Sequence, residues 1–224
     1  MLAVPFVVGA TAAGWRWLHL TLLLGWVVGY LFAQALGQWL KSRRKARYRE
    51  PVLVYGAVLV PLAAIVVLAA PRLLWFAPAY LPLVALNLWF AWRRAERELV
   101  NDLVAVAEAS LMVVVAYVAG GGGALATRAW LLCLVVGLYF AGTVPYVKTM
   151  IRERGHIGYY RASVGFHVVA LVLATLVSWW LAVPFVLLLA RAALLPRHRL
   201  RPLTVGLVEI ANSALVAAVV LLAV

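Results

Sequence analysis

The sequence predicts an all-α, polytopic transmembrane bundle of about nine spans. Composition is the first ground for this. Of 224 residues, 67% are hydrophobic and only 12% charged, where a soluble domain carries about half apolar and a quarter charged residues. Mean hydropathy is +1.03. The second ground is run length. Apolar residues come in continuous stretches near the roughly 20 residues that a spanning helix needs, without the alternation of a membrane β-barrel.

The first stretch, residues 1–14, is short. The others are expected at 18–40, 51–70, 73–92, 99–119, 129–146, 162–179, 181–195 and 203–224. Short connections make sequential helices antiparallel neighbours. Pro51, Pro71 and Pro202 stand at helix starts or junctions, where a missing N–H does no harm. Gly120–Gly123 must end the fifth helix. No cleavable signal peptide is expected, because no basic segment precedes the first apolar stretch. The whole chain reads as a single transmembrane domain.

The basic residues test the count. Lys41, Arg43, Arg44, Lys45, Arg47 and Arg49 fall between spans two and three. Arg93, Arg94 and Arg97 fall between four and five, and Lys148, Arg152, Arg154 and Arg161 between six and seven. Arg197, Arg199 and Arg201 fall between eight and nine. These connections hold 16 of the 20 Lys and Arg. Every second connection is therefore basic, and the positive-inside rule puts the N-terminus in the cytoplasm. The net charge of +13 is then a topology signal, and no nucleic-acid partner is expected. Trp15, Trp17, Trp39, Trp75, Trp92, Trp130, Trp179 and Trp180 lie near expected helix ends, as an interfacial belt does. The expected surroundings are a lipid bilayer, with anionic lipid headgroups at the cytoplasmic face.

Ionisable groups inside spans are costly and face a bundle interior or a watery cavity. Glu98, Asn101, residue 105 and Glu108 share one stripe of the fifth helix, with Asp102 beside it. Glu108 falls near mid-membrane. These carboxylates either neutralise arginines of neighbouring helices or line a cavity. Glu209, with Asn212 and Ser213, repeats the feature in the ninth helix. His167 shares a face with Tyr160 and Ser163. No second histidine stands at metal-ligand spacing, and Cys133 is the one cysteine, so no metal site and no cofactor is expected. The mixed-sign segments Arg94–Asp102 and Lys148–Arg161 are suited to arginine forks that hold a phosphate or carboxylate.

Several of these stretches resemble the YwiC-like family of bacterial integral membrane proteins. They are residues 1–9, the basic run at 41–49 ahead of Pro51 and Tyr55-Gly56, Glu96–Asp102, Tyr146–Lys148 with Ile151–Gly155, and Tyr160–Ser163 with His167. The resemblance covers essentially the whole chain and implies the bacterial cytoplasmic (inner) membrane. Similar proteins begin with a His-Gly-Ala-Trp-like stretch just before the first segment, so the first span is expected to be short or truncated. A looser similarity, at the level of fold alone, is to UbiA-type intramembrane prenyltransferases. Those place substrate motifs at the second–third and sixth–seventh connections, but hold Mg²⁺ and diphosphate with paired aspartate motifs. Here Asp102 is the single aspartate, which argues against that metal chemistry.

Three functions stay open. In the first, a UbiA-like bundle has a cytoplasm-facing cavity for an anionic or lipid headgroup. Arg94, Asn101, Tyr146, Lys148, Arg152, Arg154, Tyr160 and Arg161 bind it, and Asp102, Glu108 and His167 are acid–base groups. The second is a small proton-coupled transporter using Glu108 and Glu209. The third is an assembly or scaffold protein without a small-molecule site.

Overall fold

The computed structural model of the chain describes residues 2–198 and 200–224. Met1, where the first span was expected to start, and Arg199, in the last basic connection, lie outside the described residues. Among the described residues there are nine α-helices and no strand. They are α1 (Val4–Ala13), α2 (Trp17–Lys41), α3 (Arg49–Ala69), α4 (Ala77–Trp92), α5 (Leu99–Ala119), α6 (Thr127–Ile151), α7 (Ile157–Val177), α8 (Ala182–Leu194) and α9 (Pro202–Ala223). With their flanking 3-10 turns, eight are long and apolar enough to cross a membrane. The protein is a multi-pass membrane bundle.

The tenth-residue limit of α1 does not leave it peripheral. It packs against α5, α6 and α9 at the centre, where Phe6, Val8 and Ala10 are fully buried. Gly9 permits this approach. A Cβ there would lie 2.1 Å from the Val113 carbonyl oxygen of α5, so only glycine lets the two backbones meet. α5 is the other central helix, with Val113, Val114, Ala116 and Val118 buried. On one flank α2 packs on α3 and α4; on the other α6, α7, α8 and α9 form a second group. Their outer faces carry Leu68, Leu176, Leu207 and Leu222, exposed in the isolated chain as a lipid-facing surface is.

Two boundaries differ from the sequence expectation. α6 continues to Ile151 and α7 begins at Ile157, so Lys148, Tyr160 and Arg161 are helical and the intervening connection is short. The N-terminal turn of α7 is capped by His156, whose Nδ1 accepts from the Tyr159 amide at 3.3 Å, satisfying a donor that a helix start leaves free. The fourth span opens as a 3-10 turn over Pro71–Phe76 before α4 begins.

Helices α2, α4 and α5 end alike. The amides of Arg44, Ala95 and Gly122 bond the carbonyls of Trp39, Phe90 and Tyr117, respectively. This paired C-terminal closure requires a left-handed residue, supplied by Gly121 (φ 103°) but also by Arg94 (φ 58°) and Arg43 (φ 57°). At the glycine-rich end the last carbonyls of α5 receive side-chain donors: Arg72 Nη2 bonds Val118 O at 2.7 Å, and His19 Nε2 lies 2.9 Å from Ala116 O. The cationic Arg72 guanidinium suits the negative end of a helix dipole.

The basic connections gather at the opposite end. An arginine Nη2 of Arg94 donates to Lys41 O, and Lys148 Nζ donates to Arg97 O at 2.7 Å, which ties three of them together. A pocket lined by Glu153, His156, Pro196 and Arg197 joins the α6–α7 and α8–α9 connections.

Candidate functional site

Three groups of polar residues lie at or below this basic end. A hollow of about 710 Å³ lies between α2, α4 and α5. Lys41, Glu96 and Arg97 stand at its mouth, and Lys41 pairs with Glu96. Gln38 and Gln34 of α2, Asn87 of α4, and Asn101, Ala105 and Glu108 of α5 line it further in, with Tyr30 and Trp26 beyond. At about 1.5 Å per residue, Glu108 lies about 10 Å deeper than Asn101. Spacing of three and four along α5 puts 101, 105 and 108 on one face, and that face turns to the hollow.

Asn101 is 9% exposed. Its Nδ2 donates to Glu96 O at 3.0 Å, which sets the amide's orientation and leaves Oδ1 facing away from that bond. Among the described residues, neither Asn101 Oδ1 nor Glu108 Oε1 has a hydrogen-bond donor, although both atoms are buried. Buried acceptors are rarely left in that condition. Tyr80 and Trp26 brace the wall: Tyr80 Oη donates to Glu108 O, and the two rings pack edge to face.

Asp102, one residue on, points to a different neighbour. It pairs with Lys148 Nζ at 2.8 Å. Both residues line a second pocket of about 310 Å³ together with Thr143 and Arg152. Lys148 is largely buried, and its ammonium is shared between Asp102 and Arg97 O.

The third group lies between α6, α7, α8 and α9. Arg191 of α8 pairs with Glu209 of α9. Thr143 Oγ1 lies 3.1 Å from Glu209 Oε2, and Tyr139 Oη donates to Glu209 O at 3.0 Å. The Arg191 guanidinium stands 4.1 Å from the Tyr146 ring centroid, a cation–π distance. Arg191 Nη2 also lies 3.4 Å from His167 Nε2. Arginine has only donors, so this nitrogen accepts, and Nδ1 carries the proton that it donates to Ser163 O at 2.7 Å. The geometry therefore holds His167 as a neutral imidazole. Tyr146 Oη, Ser163 Oγ and Arg191 Nε remain buried without partners among the described residues.

The candidates read from the sequence are thus brought into separate groups. Asn101 and Glu108 share the first hollow. Asp102, Lys148 and Arg152 share the second pocket. Tyr146, His167 and Glu209 meet around Arg191. Arg94 spans to the Lys41 carbonyl, Arg154 Nη2 donates to Met150 O, and Tyr160 Oη donates to Ala193 O; these act as braces in this conformation. Arg161 is exposed on α7. Arg191, Tyr139, Gln34 and Gln38 are not among the site residues expected from the sequence, where Arg191 counts only as the basic end of the eighth span. A signal for Arg191 was present, since it lies three residues before the end of an apolar helix, where a charge needs a partner. Among the described residues no three His, Cys, Asp or Glu gather as a metal site.

A family profile described as YwiC-like protein matches residues 1–117. The chain belongs to the YwiC-like family. That match spans the residues of the first hollow and the α5 stripe. A Haemophilus influenzae protein described as uncharacterized is 34% identical over 215 residues, covering 96% of this chain and 90% of its own. The Bacillus subtilis protein named uncharacterized protein YwiC is 30% identical over 231 residues, covering 99% and 93%. No solved structure matches the chain.

Proposed function

We propose that this YwiC-like protein is a substrate-handling bundle of the bacterial cytoplasmic membrane, with the basic end in the cytoplasm. Its hollow between α2, α4 and α5 takes the polar end of an anionic or lipid substrate. The observation that carries this reading is the hollow itself: about 710 Å³ of space in an apolar bundle, lined in part by amides and a carboxylate and opening beside Lys41, Glu96 and Arg97. Guanidinium and ammonium groups at the mouth attract an anionic headgroup. In this reading Glu108 is the acid–base group, and the pocket at Asp102, Lys148 and Arg152 is a second anion contact. This keeps the UbiA-like idea of substrate entry from the cytoplasmic side without a diphosphate–metal motif.

The test is native mass spectrometry of protein released from native-lipid nanodiscs. Wild type should retain a phospho- or prenyl-lipid, or another anion, that is lost in Ala105→Trp, which puts an indole across the middle of the hollow. Loss in Arg152→Ala/Arg154→Ala instead would move the headgroup contact to the α6–α7 turn. Absence of retained ligand from wild type and variants alike would sink the reading.

One observation favours a second reading, proton-coupled transport. Thr143 lines the pocket at the basic end and also contacts Glu209. It thereby links a solvent-facing pocket to a carboxylate held by Arg191, with Glu108 as the other membrane carboxylate. Proteoliposomes loaded with a pH-sensitive dye would show a substrate-driven proton flux that Glu209→Gln abolishes. A flux unchanged by that substitution would exclude Glu209 as the carrier.

A further inference from the structure

The hollow changes character with depth. Its cations, Lys41 and Arg97, are confined to the mouth, and Lys41 is already paired with Glu96. Past Asn101 the polar side chains that line it are amides and one carboxylate: Gln38, Gln34, Asn87 and Glu108. An anion drawn to the mouth would meet no positive charge further in. Two acceptor oxygens that line the hollow are left without donors among the described residues. Asn101 is nine-tenths buried, its Nδ2 is consumed by Glu96 O, and its Oδ1 has no partner; Glu108 Oε1 is buried and equally without one. Two unpartnered acceptors about 10 Å apart along α5 call for a ligand that brings donors. Trp26 and Tyr30 line the same space, and aromatic faces attract organic cations.

We propose that the deep end of this hollow is a seat for an organic ammonium group, with Glu108 as its counter-ion and Asn101 Oδ1 accepting from a second donor nearer the mouth. The inference rests on the reading that this hollow is the ligand site, and it narrows the substrate class. The ligand is zwitterionic: a protonated amine enters first, and the anionic end stays among Arg97 and Lys41. A buried carboxylate gains a charge-assisted hydrogen bond from such a group, which is stronger than a neutral one. The charge on the deep end, rather than ligand size alone, then decides what is accepted.

The experiment uses the full chain in dodecyl maltoside and three probes that share a phenylethyl body: phenethylammonium, 3-phenylpropionate and 2-phenylethanol. Binding is read from the concentration dependence of the unfolding temperature. Phenethylammonium should stabilise wild type, with affinity about tenfold or more weaker in Glu108→Gln and unchanged in Glu50→Gln, whose side chain is exposed at the start of α3. Asn101→Asp adds a second carboxylate and should tighten phenethylammonium binding, which keeps the proposal testable if Glu108→Gln fails to fold. Ammonium affinity within twofold of wild type in Glu108→Gln would overturn the proposal, as would 3-phenylpropionate binding with the same Glu108 dependence. Binding of the carboxylate probe that ignores Glu108 but is lost in Ala105→Trp would overturn this inference and leave the anion-site reading standing. No response to any probe, together with an inert Ala105→Trp, would remove both.

Discussion

Replacing Arg191 with leucine should be among the most damaging single changes in this protein, and replacing Glu209 as well should repair much of the damage. The Arg191 side chain is 4% exposed and that of Glu209 16%, so neither charge is screened well by water or salt. Arg191→Leu removes the ion pair and the contact with the Tyr146 ring. It leaves the Glu209 carboxylate with the Thr143 and Tyr139 hydroxyls alone. Breaking a buried pair from one side costs about 3–5 kcal/mol, because an uncompensated charge stays behind. Glu209→Leu leaves the guanidinium in the same position and should cost a similar amount. Removing both charges leaves no orphan. The double variant Arg191→Leu/Glu209→Leu is therefore expected to be about 3 kcal/mol more stable than the sum of the single effects predicts. Reversible unfolding in mixed micelles at increasing SDS fraction, on wild type and the three variants, measures this cycle. Additivity within about 0.5 kcal/mol would refute the argument that Arg191 and Glu209 are one electrostatic unit.

Further outcomes follow from other contacts. Gly9→Ala should destabilise the bundle by about 1–3 kcal/mol through overpacking, since the new methyl meets the Val113 carbonyl; the same micelle assay reads it, and an unchanged midpoint would mean that α1 and α5 do not touch there. Arg43→Gly should stabilise by about 1 kcal/mol, because glycine adopts a positive φ without the strain of a side chain; a loss of stability would contradict the left-handed closure of α2. Single cysteines at Arg47 and Arg128 should label from opposite sides of sealed, oriented vesicles with a membrane-impermeant maleimide; labelling from the same side would break the alternation of the connections.

The α5 stripe shows how far one-dimensional reasoning reaches. The spacing of Asn101, residue 105 and Glu108 predicts a common face, and that face lines the hollow between α2, α4 and α5. The charge alternation likewise predicts the gathering of the basic connections, which the Arg94 and Lys148 bonds bear out. The site as a whole was less legible. From the sequence, Asp102, Glu108 and His167 form one set of acid–base groups, but Asp102 and Glu108, six positions apart on α5, point about 120° apart, so Asp102 meets Lys148 while Glu108 faces α2 and α4. His167 answers to Arg191, 24 positions away.

Composition and run length set the membrane-spanning helical class and the number of long helices, and the charge pattern sets the common end of the basic connections. Those properties depend on local composition, since hydrocarbon demands continuous apolar helices and membrane insertion retains cationic loops on one side. Only the tertiary structure decided which polar groups share a space. Short α1 sits at the centre because Gly9 lets its backbone meet α5. The paired charges of Arg191 and Glu209, and the unpartnered oxygens of Asn101 and Glu108, arise where helices distant in sequence converge. An apolar run records how strongly a helix avoids water; it carries no record of which neighbour it will face.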